Sequence, residues 1–108
     1  MIETVDFVGI LDEVCALPGA DGFIVGRNDL AQSLGKAYAE CAAETDALAE
    51  DAMAKCVTAG KPVGIFGGTG EDNLRWAAAG ATLLNLGDDA QFIHDGLALV
   101  ARELGADD

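Results

Sequence analysis

Three short runs that carry no charge and do not alternate constrain this chain most: Phe23–Val25, Pro62–Phe66 and Ala81–Leu86. A strand with water on one face alternates polar and apolar residues; a strand covered on both faces reads as a continuous apolar run. Amphipathic stretches separate these runs, so the pattern is that of a parallel α/β sheet with helices between its strands. A stub at Met1–Glu3 opens the series, and the strand–loop–helix unit therefore recurs four times. No linker or low-complexity segment interrupts it, so residues 1–108 read as a single domain.

The helices have recognisable ends. Thr4 can cap a helix over Val5–Leu17 with Val8, Leu11, Val14 and Cys15 on one face, and Pro18-Gly19 stops it. A short helical turn follows the second run. Thr45 opens a longer helix, with Leu48, Ala49, Ala52, Met53, Cys56 and Val57 at 3–4 spacing and Gly60 at its end. Thr69 and Asp72 fit a capping pattern for a helix over Gly70–Ala79, which Gly80 ends. Asp88 and Gln91 fit a second capping box, for a last helix reaching Leu104, and residues 106–108 read as a frayed acidic tail.

Charge narrows the partners. Six basic against 19 acidic residues give a net charge of −13, which repels nucleic acid and anionic membranes. No apolar run approaches the roughly 20 residues of a membrane span, and no signal peptide is visible. Cys15, Cys41 and Cys56 form no C-x-x-C pattern and read as free thiols in a reducing cytoplasm. His94, the one histidine, lies inside the last helix and reads as structural rather than catalytic, Trp76 reads as packing, and the cysteines read as small buried helix residues.

Ligands of parallel α/β folds bind beyond the carboxyl ends of the strands. In order, those ends offer Glu3; Gly26, Arg27, Asn28 and Asp29; Gly67-Gly68-Thr69-Gly70; and Asn85, Gly87, Asp88 and Asp89. Glu3 and Asp29 are a carboxylate pair suited to Mg²⁺ or Mn²⁺, which prefer oxygen ligands and keep waters or substrate oxygens in their other positions. Against that stands a plain alternative: Glu3 on the surface and Asp29 as a helix N-cap. Gly68 and Gly87 could cradle a phosphate at helix N-termini, or be turn residues only. Arg27 could clamp a substrate carboxylate or pair with one of the many acids.

The segments MIET, LDEVCALPGADG, GFIVGRNDLAQSLG, AGKPVGIF and GATLLNLGDD, in that order, resemble the carboxyl-terminal half of the HpcH/HpaI, or citrate-lyase-like, metal-dependent 2-oxo-acid aldolases. The resemblance implies the second half of a TIM (β/α)8 barrel. It implies a divalent cation, Mg²⁺ or Mn²⁺, held by Glu3 and Asp29, and a 2-oxo-acid carboxylate held by backbone amides of Asn28 and Asp29. The implied partners are a small 2-oxo acid and an aldehyde, and the implied chemistry is carbon–carbon cleavage or formation beside a pyruvate-type enolate. Two departures stand out. Family members carry Gly-Pro where this chain has Gly26-Arg27, and the family's histidine base and substrate-binding arginine have no match here.

Length agrees with half a barrel, because a complete one takes about 250 residues. Half a barrel leaves open strand edges and an uncovered sheet face. The expectation is a truncated chain that needs its amino-terminal half or forms a homo-oligomer. A non-catalytic half-barrel that self-associates or complements a partner is the alternative.

Overall fold

The computed structural model describes residues 1–68 and 70–106. Its order is α1 (Val5–Gly9), α2 (Leu11–Ala16), β1 (Phe23–Val25), α3 (Arg27–Ser33), α4 (Tyr38–Thr58), β2 (Val63–Phe66), α5 (Gly70–Ala78), β3 (Leu83–Asn85) and α6 (Asp89–Glu103). The three strands form one parallel sheet in the order β1-β2-β3. Ile2 extends it beyond β1: its N–H donates to the Ile24 carbonyl at 2.7 Å and its carbonyl accepts from the Gly26 N–H at 2.9 Å. Four parallel segments in sequence order, with helices between them, match the predicted run of barrel units.

Register sorts the side chains. Phe23 pairs with Val63 and Val25 with Ile65, while Ile65 pairs with Leu84. These residues face the helices, where Leu11 and Cys15 of α2, Ala49, Ala52, Met53 and Cys56 of α4 and Trp76 of α5 form much of the buried core. On the opposite face, Phe66 and Leu83 are exposed, as is Leu86 just beyond β3. The runs therefore have one covered face among the described residues, not the two that continuous apolarity predicts. The uncovered face is the one that would line a closed barrel's interior.

The helix predictions need four corrections. The first helix is two pieces joined at Ile10, although Thr4 caps it as expected and accepts the Phe7 N–H at 3.2 Å. The long helix begins at Tyr38 rather than Thr45, since Glu40 reaches back to the Ala37 N–H at 2.8 Å and supplies the start; the backbone is then non-helical at Cys41. Thr45 sits inside that helix, fully buried, with its hydroxyl 3.4 Å from Cys41 Sγ. Val57, predicted on the inner face, is about half exposed. The second capping box is half present: Asp88 accepts the Gln91 N–H, but the Gln91 side chain turns to Asp95. The Thr69 half of the first box lies outside the described residues, as does the end of the acidic tail at 107 and 108.

Cys15, Cys41 and Cys56 are buried helix residues, as expected. The sulfurs of Cys15 and Cys56 lie 4.0 Å apart, and burial, reinforced by Cys15, pushes the Cys56 thiol up to about 12. It is an inert thiol at neutral pH. His94 is neither buried nor at a strand end; it stands exposed on α6 beside Asp95. None of the residues of α6 is buried, and Phe92, Ile93, Leu97, Val100 and Leu104 face water. That outlying helix makes the chain long: its radius of gyration is 16.4 Å, against about 13 Å for a compact domain of this size. No described helix is long and apolar enough to cross a membrane.

Candidate metal and 2-oxo-acid site

Parallel strands bring all their carboxyl ends to one side, and the predicted residues assemble there. Ile2's two hydrogen bonds to β1 and Gly26 set Glu3 beside Gly26. Directly after β1 the chain turns into α3 with Gly26 as its cap, so Asp29 falls in the first helical turn, not at the N-cap. A methyl group on Gly26 would lie 2.7 Å from Asp29 Oδ2 and 3.4 Å from Glu3 Cγ. Both carboxylate side chains thus close over the same bare Cα.

The donor set, two carboxylates, is of the oxygen-only kind that suits a hard divalent cation, although no cluster of three or more His, Cys, Asp or Glu side chains with ligand geometry occurs among the described residues. A cation held here would keep several positions for water or substrate oxygens, the habit of Mg²⁺ and Mn²⁺. Gly26 itself has φ −100°, which any residue adopts, so its lack of a side chain serves the close approach alone. We expect Gly26→Ala to fold while displacing the Asp29 carboxylate, which must yield several tenths of an ångström. Thermal melting with Mn²⁺ titration checks this; unchanged Mn²⁺ affinity would contradict it.

Beside the pair lies a cleft of about 340 Å³, walled by residues at the carboxyl end of each strand: Arg27 and Asn28 after β1, Phe66 to Gly68 from β2, and Asn85, Gly87 and Asp88 from β3 onward, with Tyr38 from α4. Asn28 lines it; Glu3 and Asp29 do not. The glycine turns were candidate phosphate cradles, but their amides are already engaged. Gly68 N–H donates to Asp72 Oδ2 at 3.0 Å, and Gly87 N–H to Asn85 Oδ1 at 2.9 Å. A phosphate would have to displace a carboxylate from the first.

Arg27 resolves the choice between substrate clamp and internal pair. Its side chain is only 11% exposed. Nη1 donates to Tyr38 Oη at 2.9 Å and to Asp46 Oδ1 at 3.3 Å; Nη2 donates to the Phe66 carbonyl at 3.2 Å and to Asp72 Oδ2. The guanidinium carbon lies 5.3 Å from the Tyr38 ring centre and 5.5 Å from that of Trp76. Arg75 extends the cluster to Asp46 and Glu50 and stacks on Trp76. Burial opposes ionisation of Asp72, but the Gly68 amide, Arg27 and the Trp76 N–H outweigh it and hold its carboxyl below the usual carboxylate range. Trp76 is packing, as predicted, and also a hydrogen-bond donor, Nε1 to Asp72 Oδ1 at 3.0 Å.

Tyr38 and Asp46 escaped the sequence reading, and Asp72 was read there only as part of a helix cap. A signal existed: Asp72, Arg75 and Trp76 stand at i, i+3 and i+4 on one helical face. In a chain with six basic residues, an arginine at the end of an apolar strand was poised to find acids.

Taken together, the parallel βα units define part of a barrel, with a pair of carboxylate side chains beside Gly26 at the carboxyl end of β1. No protein-family model matches the chain. Curated relatives do: the hydroxypyruvate/pyruvate aldolase of Agrobacterium fabrum is 35% identical over 104 residues, covering 95% of this chain and 39% of the relative. That of Deinococcus radiodurans is 35% identical over 96 residues, covering 89% and 33%. An HpcH/HpaI aldolase/citrate lyase family protein from Burkholderia cenocepacia J2315 superposes with a TM-score of 0.88 at 26% identity, over 95% of this chain and 40% of that one. The chain therefore spans between a third and two fifths of the length of these relatives. It belongs with the HpcH/HpaI aldolases, as the counterpart of part of their barrel.

Proposed function

We propose that this chain carries the metal-holding and oxo-acid-binding part of a 2-oxo-acid aldolase, a carbon–carbon lyase. Glu3 and Asp29 hold Mg²⁺ or Mn²⁺, and the amides of Asn28 and Asp29 seat the carboxylate of a pyruvate-type 2-oxo acid, with an aldehyde as the other product of cleavage. The observation that carries this reading is the convergence of Glu3 and Asp29 over Gly26. When bound, such a cation supplies Lewis-acid polarisation of the 2-oxo group. The chain's own residues bind and orient: the carboxylates fix the cation, and α3 presents its first amides toward an anion.

Among the described residues no histidine stands at a strand end, and in this reading the acid–base group comes from another stretch of polypeptide, an amino-terminal half or a second copy. The three buried thiols support a cytoplasmic setting. The chain alone is expected to bind but not to turn over. Titration with oxalate, a planar dicarboxylate that mimics the enolate of pyruvate, tests this: binding should require Mn²⁺, and aldol cleavage of a 4-hydroxy-2-oxo acid should be undetectable. Equal oxalate binding with and without Mn²⁺ would contradict the assignment.

A non-catalytic half-barrel that self-associates is favoured by one observation, the exposed apolar face of Phe66, Leu83 and Leu86. Sedimentation separates the readings: a stable dimer without Mn²⁺ affinity belongs to the second.

A further inference from the structure

We propose that Arg27 is a positioning residue for the oxo-acid seat: it locks the Gly67–Gly68 turn against the Asn28–Asp29 corner and so sets 2-oxo-acid affinity without setting cation affinity. The inference rests on the aldolase reading above. Arg27 stands where the side chain could have been a substrate ligand, yet its donors are turned inward. Both donating nitrogens serve Tyr38, Asp46, the Phe66 carbonyl and Asp72. A guanidinium so committed is a tie, not a free clamp.

What it ties is specific. Phe66 is the last residue of β2, and the Asp72 oxygen that Arg27 contacts is the same one that accepts the Gly68 N–H. One carboxylate oxygen thus links the guanidinium to the turn on the far wall of the cleft, while Asn28, the next residue in the chain, forms the near wall. Tyr38 and Trp76 flank the guanidinium and restrict its plane. The spacing between Asn28 and Gly68, which an oxo acid entering the cleft has to match, is therefore fixed through Arg27. Glu3 and Asp29 are not among its partners, so the cation cradle should be indifferent to it.

Lysine at this position keeps the charge but lacks the planar fork that reaches Asp46, Asp72 and the Phe66 carbonyl at once. Arg75 provides the control. It shares Asp46, Trp76 and, through the other carboxylate oxygen at 3.9 Å, Asp72 with Arg27, but makes no hydrogen bond to the Phe66 carbonyl or to the Asp72 oxygen that holds the Gly68 amide.

The experiment is calorimetric titration of wild type, Arg27→Lys and Arg75→Lys with Mn²⁺, then of each Mn²⁺-loaded protein with oxalate, with melting temperatures measured alongside. Arg27→Lys should bind Mn²⁺ within about threefold of wild type and oxalate about tenfold more weakly, the loss of one or two oriented hydrogen bonds. Arg75→Lys should match wild type in both. If Arg27→Lys does not fold, Asp72→Asn takes its place under the same criteria, since it weakens the same link from the other side. Oxalate affinity unchanged in Arg27→Lys, or lowered equally in Arg75→Lys, overturns the positioning role and leaves the aldolase reading standing. A wild-type protein that binds neither Mn²⁺ nor oxalate overturns both.

Discussion

Arg27→Met should destabilise the fold by about 3 to 5 kcal/mol, the range for removing one partner from a buried charge pair. Asp46 and Asp72 are only 17% and 19% exposed, and without Arg27 they lose their shared cation. Arg75 still reaches Asp46 at 2.9 Å but Asp72 only at 3.9 Å, so Asp72 bears most of the loss. Methionine fills much of the volume between Tyr38 and Trp76, and the expected cost is therefore electrostatic and hydrogen-bonding rather than that of a cavity. Chemical denaturation of wild type and variant measures it. A change below about 1 kcal/mol would mean the cluster behaves like an ordinary surface network.

The pH dependence should change as well. A carboxyl held below its ordinary pKa in the folded state contributes stability that is present above the ordinary carboxylate range and is lost as the pH falls through the lowered value. Asp72 is such a group. In Arg27→Met one of the groups lowering it is gone, so the variant should lose less stability than wild type between neutral and strongly acidic pH.

Trp76→Ala is the second large effect, about 3 to 5 kcal/mol. Trp76 is fully buried and among the largest such side chains; it packs with the core and underlies both Arg27 and Arg75. Truncation leaves a cavity and takes the Nε1 donor from Asp72. Because Trp76 and Arg27 share Asp72 and stack on each other, the double variant Arg27→Met/Trp76→Ala should cost less than the sum of the two singles. Strict additivity would show that the stacking carries no coupling. Proteins of this size have only about 5 to 15 kcal/mol of stability in all. Each single change is therefore severe in a chain with so much apolar surface exposed.

Much of the architecture was legible because it follows from local chemistry. The continuous runs Phe23–Val25 and Pro62–Phe66 could only be strands, and glycines such as Gly60, at φ +68°, marked helix ends that other residues adopt rarely. Glu3 and Asp29 were legible as a pair because parallel strands deliver their carboxyl ends to one side. Other features depended on distant residues. The start of α4 at Tyr38 rests on one Glu40 hydrogen bond that apolar spacing does not reveal. Arg27's partners come from residues 11 to 45 positions away, and no periodicity records them. Likewise, continuous apolarity predicted cover on both faces of the sheet, whereas Phe66 and Leu83 stand exposed among the described residues.

If Glu3 and Asp29 together hold a divalent cation, Mn²⁺ calorimetry on wild type, Glu3→Gln and Asp29→Asn will register the loss of each ligand. Both substitutions keep size and shape while removing one anionic ligand. Wild type should bind one Mn²⁺ per chain, and each variant should bind at least about a hundredfold more weakly, since even groups outside the ligand shell cost up to that much. Wild-type affinity retained in either variant, or no binding by wild type, would mean that this carboxylate pair is not a cation site.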